Sequence, residues 1–182
     1  MDIASKKFGR LGNRLFQSAY IYSQFLDGVI PDIYLQDPKY FEKHEPQVKE
    51  LFRQDIPKQN SRVAIHVRRG DYVNNPFYID LTQTDYYEKA LAEFPLKRFL
   101  IFSDDIDFCK EYFIGDEYDF NEECESNALL TMASCSGHII ANSSFSWWGA
   151  YLSPYTQKVI SPEKWFTDGI SRVGIPKSWK TL

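Results

Sequence analysis

From Val63 onward the sequence alternates short runs that suit buried strands with longer stretches at helical spacing, and this alternation leaves little choice of architecture. The strand-like runs are Val63–Val67, Phe99–Phe102, Tyr118–Phe120, Ile139–Asn142 and Val159–Ser161. Helical stretches lie between them near Asp85–Phe94, Asp107–Phe113, Ser126–Cys135 and Ser146–Leu152. A strand that is apolar along its whole length is covered on both faces, and strands separated by helices pair in parallel through right-handed crossovers. The expected fold class is α/β: a parallel, Rossmann-like sheet flanked by helices.

Ahead of this region the pattern is looser. Lys7 to Asn13, with Gly9 and Gly12, reads as a glycine turn leading into a helix whose apolar face is Leu15, Ala19, Tyr22 and Leu26, ended by Asp27-Gly28. Such a turn can offer N–H groups to an anion. It lacks both G-x-G-x-x-G and the Gly-Lys-Ser/Thr of a P-loop, so on these residues alone a structural turn is the better reading. Asp32 to Leu35 is a candidate short strand. Asp37-Pro38 and Glu45-Pro46 are helix starts, with Phe41, Val48, Leu51 and Phe52 as the buried stripe. The polar stretch Gln54 to Asn60 marks a boundary between a segment 1–60 and a unit 61–182.

The chemistry gathers where strands end. The run Arg62 to Val67 passes directly into Arg68-Arg69-Gly70-Asp71. In open α/β sheets ligands bind at the carboxyl edge, and guanidinium matches phosphate oxygens bidentately, so the expected guest is a phosphate or pyrophosphate. Gly70 permits a sharp turn, and Asp71 can hold one of the arginines. The net charge of −4 speaks against a broad nucleic-acid-binding face, so the anion site has to be local. The second strand carries Ser103, Asp104 and Asp105 at its end; the fourth carries Asn142, Ser143, Ser144, Phe145 and Ser146. Hydroxyls and free N–H groups at a helix start form a second anion cradle, whereas plain capping needs only one serine. A carboxylate on the neighbouring strand can accept from the N1–H and N2–H of guanine; a helix cap is the plainer role for Asp104 or Asp105. His66 suits a ribose or base contact as well as it suits a satisfied core position.

Several features narrow the setting. Asp105-Ile106-Asp107 spells D-x-D, but with no further oxygen ligands nearby no metal site is expected. The loop Asn74 to Thr82, with Pro76, Phe77 and Tyr78, is long enough to act as a flap. Aromatics make up 16% of the chain, more than its core requires, and some are expected to line a sugar or base site. Cys109, Cys124 and Cys135 are odd in number and lack C-x-x-C spacing, which suits reduced thiols in the cytoplasm. Neither a secretory leader nor a membrane span is expected.

In combination these motifs resemble the α-1,2-fucosyltransferase family. His66-Val67-Arg68-Arg69-Gly70-Asp71-Tyr72, Phe102-Ser103-Asp104-Asp105 and the run Asn142 to Ala150 occur in that family's order and setting. Val159 to Phe166 is similar to its closing segment and Gly9 to Gln17 to its opening one. The resemblance implies a GT-B-like fold, GDP-fucose as donor substrate, a galactoside-type glycan hydroxyl as acceptor, inversion, and no metal or other cofactor. By the same resemblance Arg68 and Arg69 grip the pyrophosphate, Asp104 or Asp105 contacts guanine, and Ser143 to Ser146 form the phosphate and ribose loop. Asn13 sits with Arg10 and Gly12 in a G-x-x-G-N turn that faces the active site. Asp71 is the nearest candidate base, although bracing an arginine suits it better. The interval from Asn13 to His66 is shorter than the family's usual one, so the N-terminal, acceptor-side domain is expected to be reduced or completed by another subunit. A homodimer covering Tyr20, Tyr22 and Phe25 follows from that. A transferase using another GDP-sugar, and a non-catalytic GDP-sugar- or glycan-binding module, stand as alternatives. Any membrane association is expected to be peripheral.

Overall fold

A computed structural model describes residues 11–27, 36–169 and 173–182. Arg10, the Gly9 turn and the candidate strand at Asp32 to Leu35 lie outside these residues. The chain forms α1 (Leu11–Leu26), α2 (Glu45–Phe52), β1 (Asn60–Val67), α3 (Tyr86–Ala92), β2 (Phe99–Ser103), α4 (Ile106–Tyr112), β3 (Tyr118–Phe120), α5 (Glu125–Ala133), β4 (Cys135–Ile139), α6 (Ser144–Leu152), β5 (Val159–Ser161) and β6 (Lys180–Thr181). The strands make one parallel sheet in the order β3-β2-β1-β4-β5-β6. The chain winds outward from β1 to β3, then returns to the other side of β1 for β4. That reversal opens a crevice between β1 and β4, where a doubly wound sheet receives its ligand.

Alternation along β1 divides the core. Val63, Ile65 and Val67 pack with Leu81, Tyr86, Tyr87 and Ala90 under α3 and α4, while Ala64 faces Phe102, Ala128 and Met132. Beyond them a larger cluster joins α1, α2 and α6 through Phe16, Phe41, Val48, Trp147 and Trp148. Phe16 lies 4.5 Å from Trp147 and 5.0 Å from Trp148, centroid to centroid. Burying each of these rings contributes about 2–3 kcal/mol. The segment before residue 60 therefore shares a core with the sheet unit. Arg53 fastens it further, its Nε donating at 2.7 Å to the Leu152 carbonyl at the end of α6.

Three elements differ from the sequence reading. Gly12 and Asn13 belong to the first turn of α1, not to a turn before it. The buried stripe of α1 is Gly12, Phe16, Ala19 and Ser23, with Leu15 and Tyr22 flanking it and Leu26 exposed; Leu51 on α2 is exposed too. β4 begins at Cys135, four residues before the expected start. Its polar residues are paired: Ser136 Oγ donates 2.8 Å to the Ser61 carbonyl of β1, and the His138 ring bonds the Thr156 side chain and the Met132 carbonyl of α5, each at 2.9 Å. Gly137 has to lack a side chain, because a Cβ there would stand 2.8 Å from the Phe94 ring.

Candidate active site

A cleft of about 840 Å³ lies along the carboxyl edge of the sheet. Arg68, leaving the end of β1, is its central cation. The guanidinium is braced by the carboxylates of Asp71 and Asp104, lies 5.3 Å from the Tyr72 ring centroid, and is 10% exposed. Arg69 turns the other way. Its side chain donates to Thr82 Oγ1 at 3.0 Å, Asp105 at 3.3 Å and Asp80 at 3.4 Å, and stacks 3.5 Å over the Phe108 ring. It is not among the cleft-lining residues.

The acidic pair is engaged in the same way. Asp104 lines the cleft, but its Oδ1 accepts the Arg69 backbone N–H at 2.9 Å while Oδ2 meets Arg68. Asp105 caps α4, accepting from the Phe108 N–H at 3.2 Å, and its own N–H donates to Ser103 Oγ at 2.9 Å. Ser103 lines the cleft; Asp105 does not.

Across the switch point, Ser143, Ser144 and Phe145 line the cleft at the start of α6. Ser143 Oγ accepts the Phe145 N–H at 3.3 Å, and Ser144 Oγ donates 2.6 Å to Asn13 Oδ1. Ser146 points inward, fully buried, and donates to the Ala141 and Ser143 carbonyls. Asn13 also accepts from the Gln36 side chain. A Cβ on Gly12 would stand 2.7 Å from the Ser144 carbonyl oxygen, so α1 meets α6 this closely because residue 12 is glycine.

Asn142 ties down the opposite wall. Its Nδ2 donates to the Ile79 and Trp165 carbonyls at 2.9 and 3.0 Å, and its own carbonyl accepts from the Tyr72 hydroxyl at 3.0 Å. Tyr72 and Tyr78 stack with centroids 4.0 Å apart, and Phe166 lies 5.5 Å from Tyr78. The expected flap is a wall anchored by a bridge between Tyr78 and Phe166, by the Thr167 N–H on the Phe77 carbonyl at 3.1 Å, and by the Thr167 hydroxyl on the Pro76 carbonyl at 2.6 Å.

His66 is 5% exposed beside Phe145, with Nδ1 lacking a partner among the described residues. Burial, with the Arg68 charge second, lowers its pKa to about 3, so the ring is neutral at physiological pH. Phe102 and Ala128 floor the far end of the cleft, where Asn121, Glu123 and Glu125 form the rim after β3. Sequence reasoning missed this end. The rule that singled out the ends of β1, β2 and β4 applies equally to β3, but isolated Asn and Glu residues read as ordinary surface.

Tyr20 packs on Tyr40 at 5.5 Å and Tyr22 against the α1–α6 core, so both are half-buried within the chain. The side chain of Phe25 lies outside the described residues. Among the described residues no helix is long and apolar enough to cross a membrane, and no three His, Cys, Asp or Glu residues are grouped to hold a metal ion.

Comparison with known proteins points the same way. Residues 11–172 match the family described as Glycosyl transferase family 11. The chain is 33% identical over 145 residues to the O-antigen biosynthesis glycosyltransferase WbnK of Escherichia coli, a match covering 72% of this chain and 48% of that protein. It is 33% identical over 156 residues to an alpha-1,2-colitosyltransferase of Escherichia coli, covering 72% and 54%. It thus spans about half the length of these curated relatives. In fold it is similar to E. coli heptosyltransferase WaaC with ADP, with a TM-score of 0.51 at 12% identity over 85% of this chain and 45% of that one.

Proposed function

Since the chain belongs to glycosyl transferase family 11, we propose that its cleft binds a GDP-sugar, GDP-fucose first among them, for α-1,2 transfer to a galactoside-type hydroxyl of a glycan. The observation that carries this reading is Arg68, a nearly buried cation at the end of the central strand, facing the start of α6 across the switch point. Transfer breaks the bond from the sugar carbon to the β-phosphate, and negative charge grows on the departing oxygen. Arg68 stabilises that charge more in the transition state than in the ground state, which lowers the barrier. On this reading the cation comes from the protein and no divalent metal is needed.

The other residues take roles around that step. Ser143, Ser144 and the first N–H groups of α6 face the phosphates. The Tyr72–Tyr78–Phe166 wall offers apolar ring surface to the sugar. Gly12 and Asn13 act as positioning residues that seat α1 against the phosphate loop. His66 contacts the donor as a neutral ring; a group protonated only near pH 3 is too weak a base for the acceptor hydroxyl. Asp71 reaches the cleft from the Arg68 side and is the group assigned to brace it, with proton acceptance as its second possible role.

The experiment is transfer and donor hydrolysis by the purified chain with GDP-fucose, GDP-mannose and UDP-galactose on a panel of galactoside-ended glycans, with and without excess EDTA. Turnover of GDP-fucose that survives EDTA is expected. Consumption of UDP-galactose alone would exclude a GDP-sugar, and strict manganese dependence would return the D-x-D pair Asp105 and Asp107 to consideration. The relative named for colitosyl transfer favours a second reading, in which the linkage holds and the donor carries a sugar other than fucose. Tight GDP binding with no turnover of any donor would identify a binding module.

A further inference from the structure

We infer that Glu123 is the residue that reads the nucleobase, its carboxylate accepting the N1–H and N2–H of guanine. The inference rests on the GDP-sugar reading above. Along the carboxyl edge the sheet order sets the chemistry in sequence: carboxylates after β3, the Arg68 cation after β1, the start of α6 after β4, and Trp165 and Phe166 after β5, with Tyr78 from the segment after β1 packed on Phe166. A nucleotide sugar is equally directional, with base, ribose, pyrophosphate and sugar in line. Placing the pyrophosphate between Arg68 and α6 leaves two ways for the base to point, towards β5 or towards β3.

The hydrogen-bonding demands of guanine decide between them. Its Watson–Crick edge presents two adjacent donors and needs paired acceptors. On the β5 side the amide of Asn142 and the Tyr72 hydroxyl are committed as donors to carbonyls, and the Trp165 indole N–H is another donor. On the β3 side Phe102 and Ala128, 2% and 8% exposed, give an apolar floor for a flat ring. His66, with Nδ1 unpartnered, lies against Phe145 beside that floor.

Four carboxylates line the cleft, and three have other tasks. Asp71 and Asp104 brace Arg68, and Glu125 accepts the Leu11 N–H at the start of α1 at 3.4 Å. Glu123 is held differently. The Asn121 amide donates 2.7 Å to its Oε2, and Asn121 Oδ1 accepts the Glu123 N–H at 3.2 Å. Asn121 is itself anchored to the sheet through its N–H on the Ile101 carbonyl at 2.8 Å. This reciprocal pair orients the carboxylate on a fixed strand end, and each carboxylate oxygen can accept two hydrogen bonds, so capacity for both guanine donors remains. Hydrogen bonds from Asn121 and then Thr131 also hold its pKa below the ordinary glutamate value. Asp104 and Asp105, the sequence candidates for this role, instead fix the turn that aims Arg68.

The test is calorimetric titration of GDP, IDP and ADP into the wild-type chain, Glu123→Gln and Glu125→Gln, with thermal melting of each. IDP keeps N1–H and lacks the 2-amino group. Wild type is expected to prefer GDP to IDP by roughly tenfold and to ADP by more. Glu123→Gln should lose most of that preference, with GDP falling most, IDP less because it loses only the N1–H bond, and ADP little. Glu125→Gln, which removes the same charge from the same rim, should keep it. Equal wild-type binding of GDP and ADP would overturn the GDP-sugar reading itself. A wild-type preference that survives in Glu123→Gln would overturn the role of Glu123 alone. A uniform fall for all three nucleotides would also overturn it, since Glu123 would then act through charge or fold.

Discussion

Adjacent side chains of an extended strand leave on opposite faces, and this separates Arg68 from Arg69. Arg68 follows the parity of His66 into the cleft; Arg69 follows Val67 towards α3 and α4, where Thr82, Asp80, Asp105 and Phe108 hold it. Their alanine variants should therefore fail in different ways. Arg68→Ala is expected to weaken GDP by about 1.5–3 kcal/mol and, because it leaves Asp104 unmatched, to lower the melting temperature as well. Arg69→Ala should cost about 2–3 kcal/mol of stability by leaving half-buried carboxylates unmatched, with GDP affinity of the folded protein near wild type. Calorimetry beside thermal melting checks both, and loss of GDP binding at full stability in Arg69→Ala would put that residue in the cleft. The paired arginines, their place at a strand end and the alternation were all legible in the sequence. Which face carries the cleft was not, because that depends on where α6 and the Tyr72–Tyr78 wall pack. Ser146 eluded the same reading: its hydroxyl satisfies two carbonyls inside the helix start, a local alternative that a serine-rich run does not advertise.

At the scale of elements, the close approach of α1 to α6 is the contact most sensitive to change. Gly12→Ala places a methyl against the Ser144–Phe145 backbone, which cannot rotate away as a side chain can. We expect it to cost about 1–3 kcal/mol and to part Asn13 from Ser144, lowering transfer by more than the stability loss explains. An unchanged melting temperature and unchanged transfer would mean that the helices separate freely. The parallel sheet and its central strands were readable from β-branched runs and helical spacing. The start of β4 was not: Ser136, Gly137 and His138 look unlike a strand, and they are strand because β1 supplies a partner for Ser136, α5 and Thr156 supply partners for the His138 ring, and Phe94 fills the space over Gly137. The two residues of β6 carry no pattern of their own and are set by pairing with β5. The buried stripe of α1 keeps Ala19 as expected but otherwise lies one residue on, with Phe16 and Ser23 in place of Leu15 and Tyr22, since the close approach of Gly12 to α6 turns that face inward.

The molecule as a whole should be acid-sensitive in a defined window. His66 and His138 are buried, and burial lowers their pKa values to about 3 and about 4. Unfolded, each takes up a proton near the ordinary histidine value of about 6.5. The unfolded state thus binds more protons below that pH, so the stabilisation present above pH ~6.5 is lost as pH falls towards the folded values. Two such groups give a slope approaching about 2.7 kcal/mol per pH unit once both are protonated in the unfolded chain. Urea midpoints measured between pH ~6.5 and ~5, above the main carboxylate range, should fall accordingly; a flat profile there would mean that one or both rings already carry charge in the folded state. A second property of the whole concerns time. The wall opposite α6 is fastened by the Tyr78–Phe166 bridge, by Thr167 on the carbonyls of Pro76 and Phe77, and by Asn142 on that of Ile79. A wall held at so many points has no hinge to swing on, so a bound nucleotide has no door to wait for. Its residence is then governed by its own contacts, and stopped-flow displacement of GDP should follow a single exponential whose rate does not depend on the concentration of the chasing ligand. A slow second phase would show that the wall opens after all.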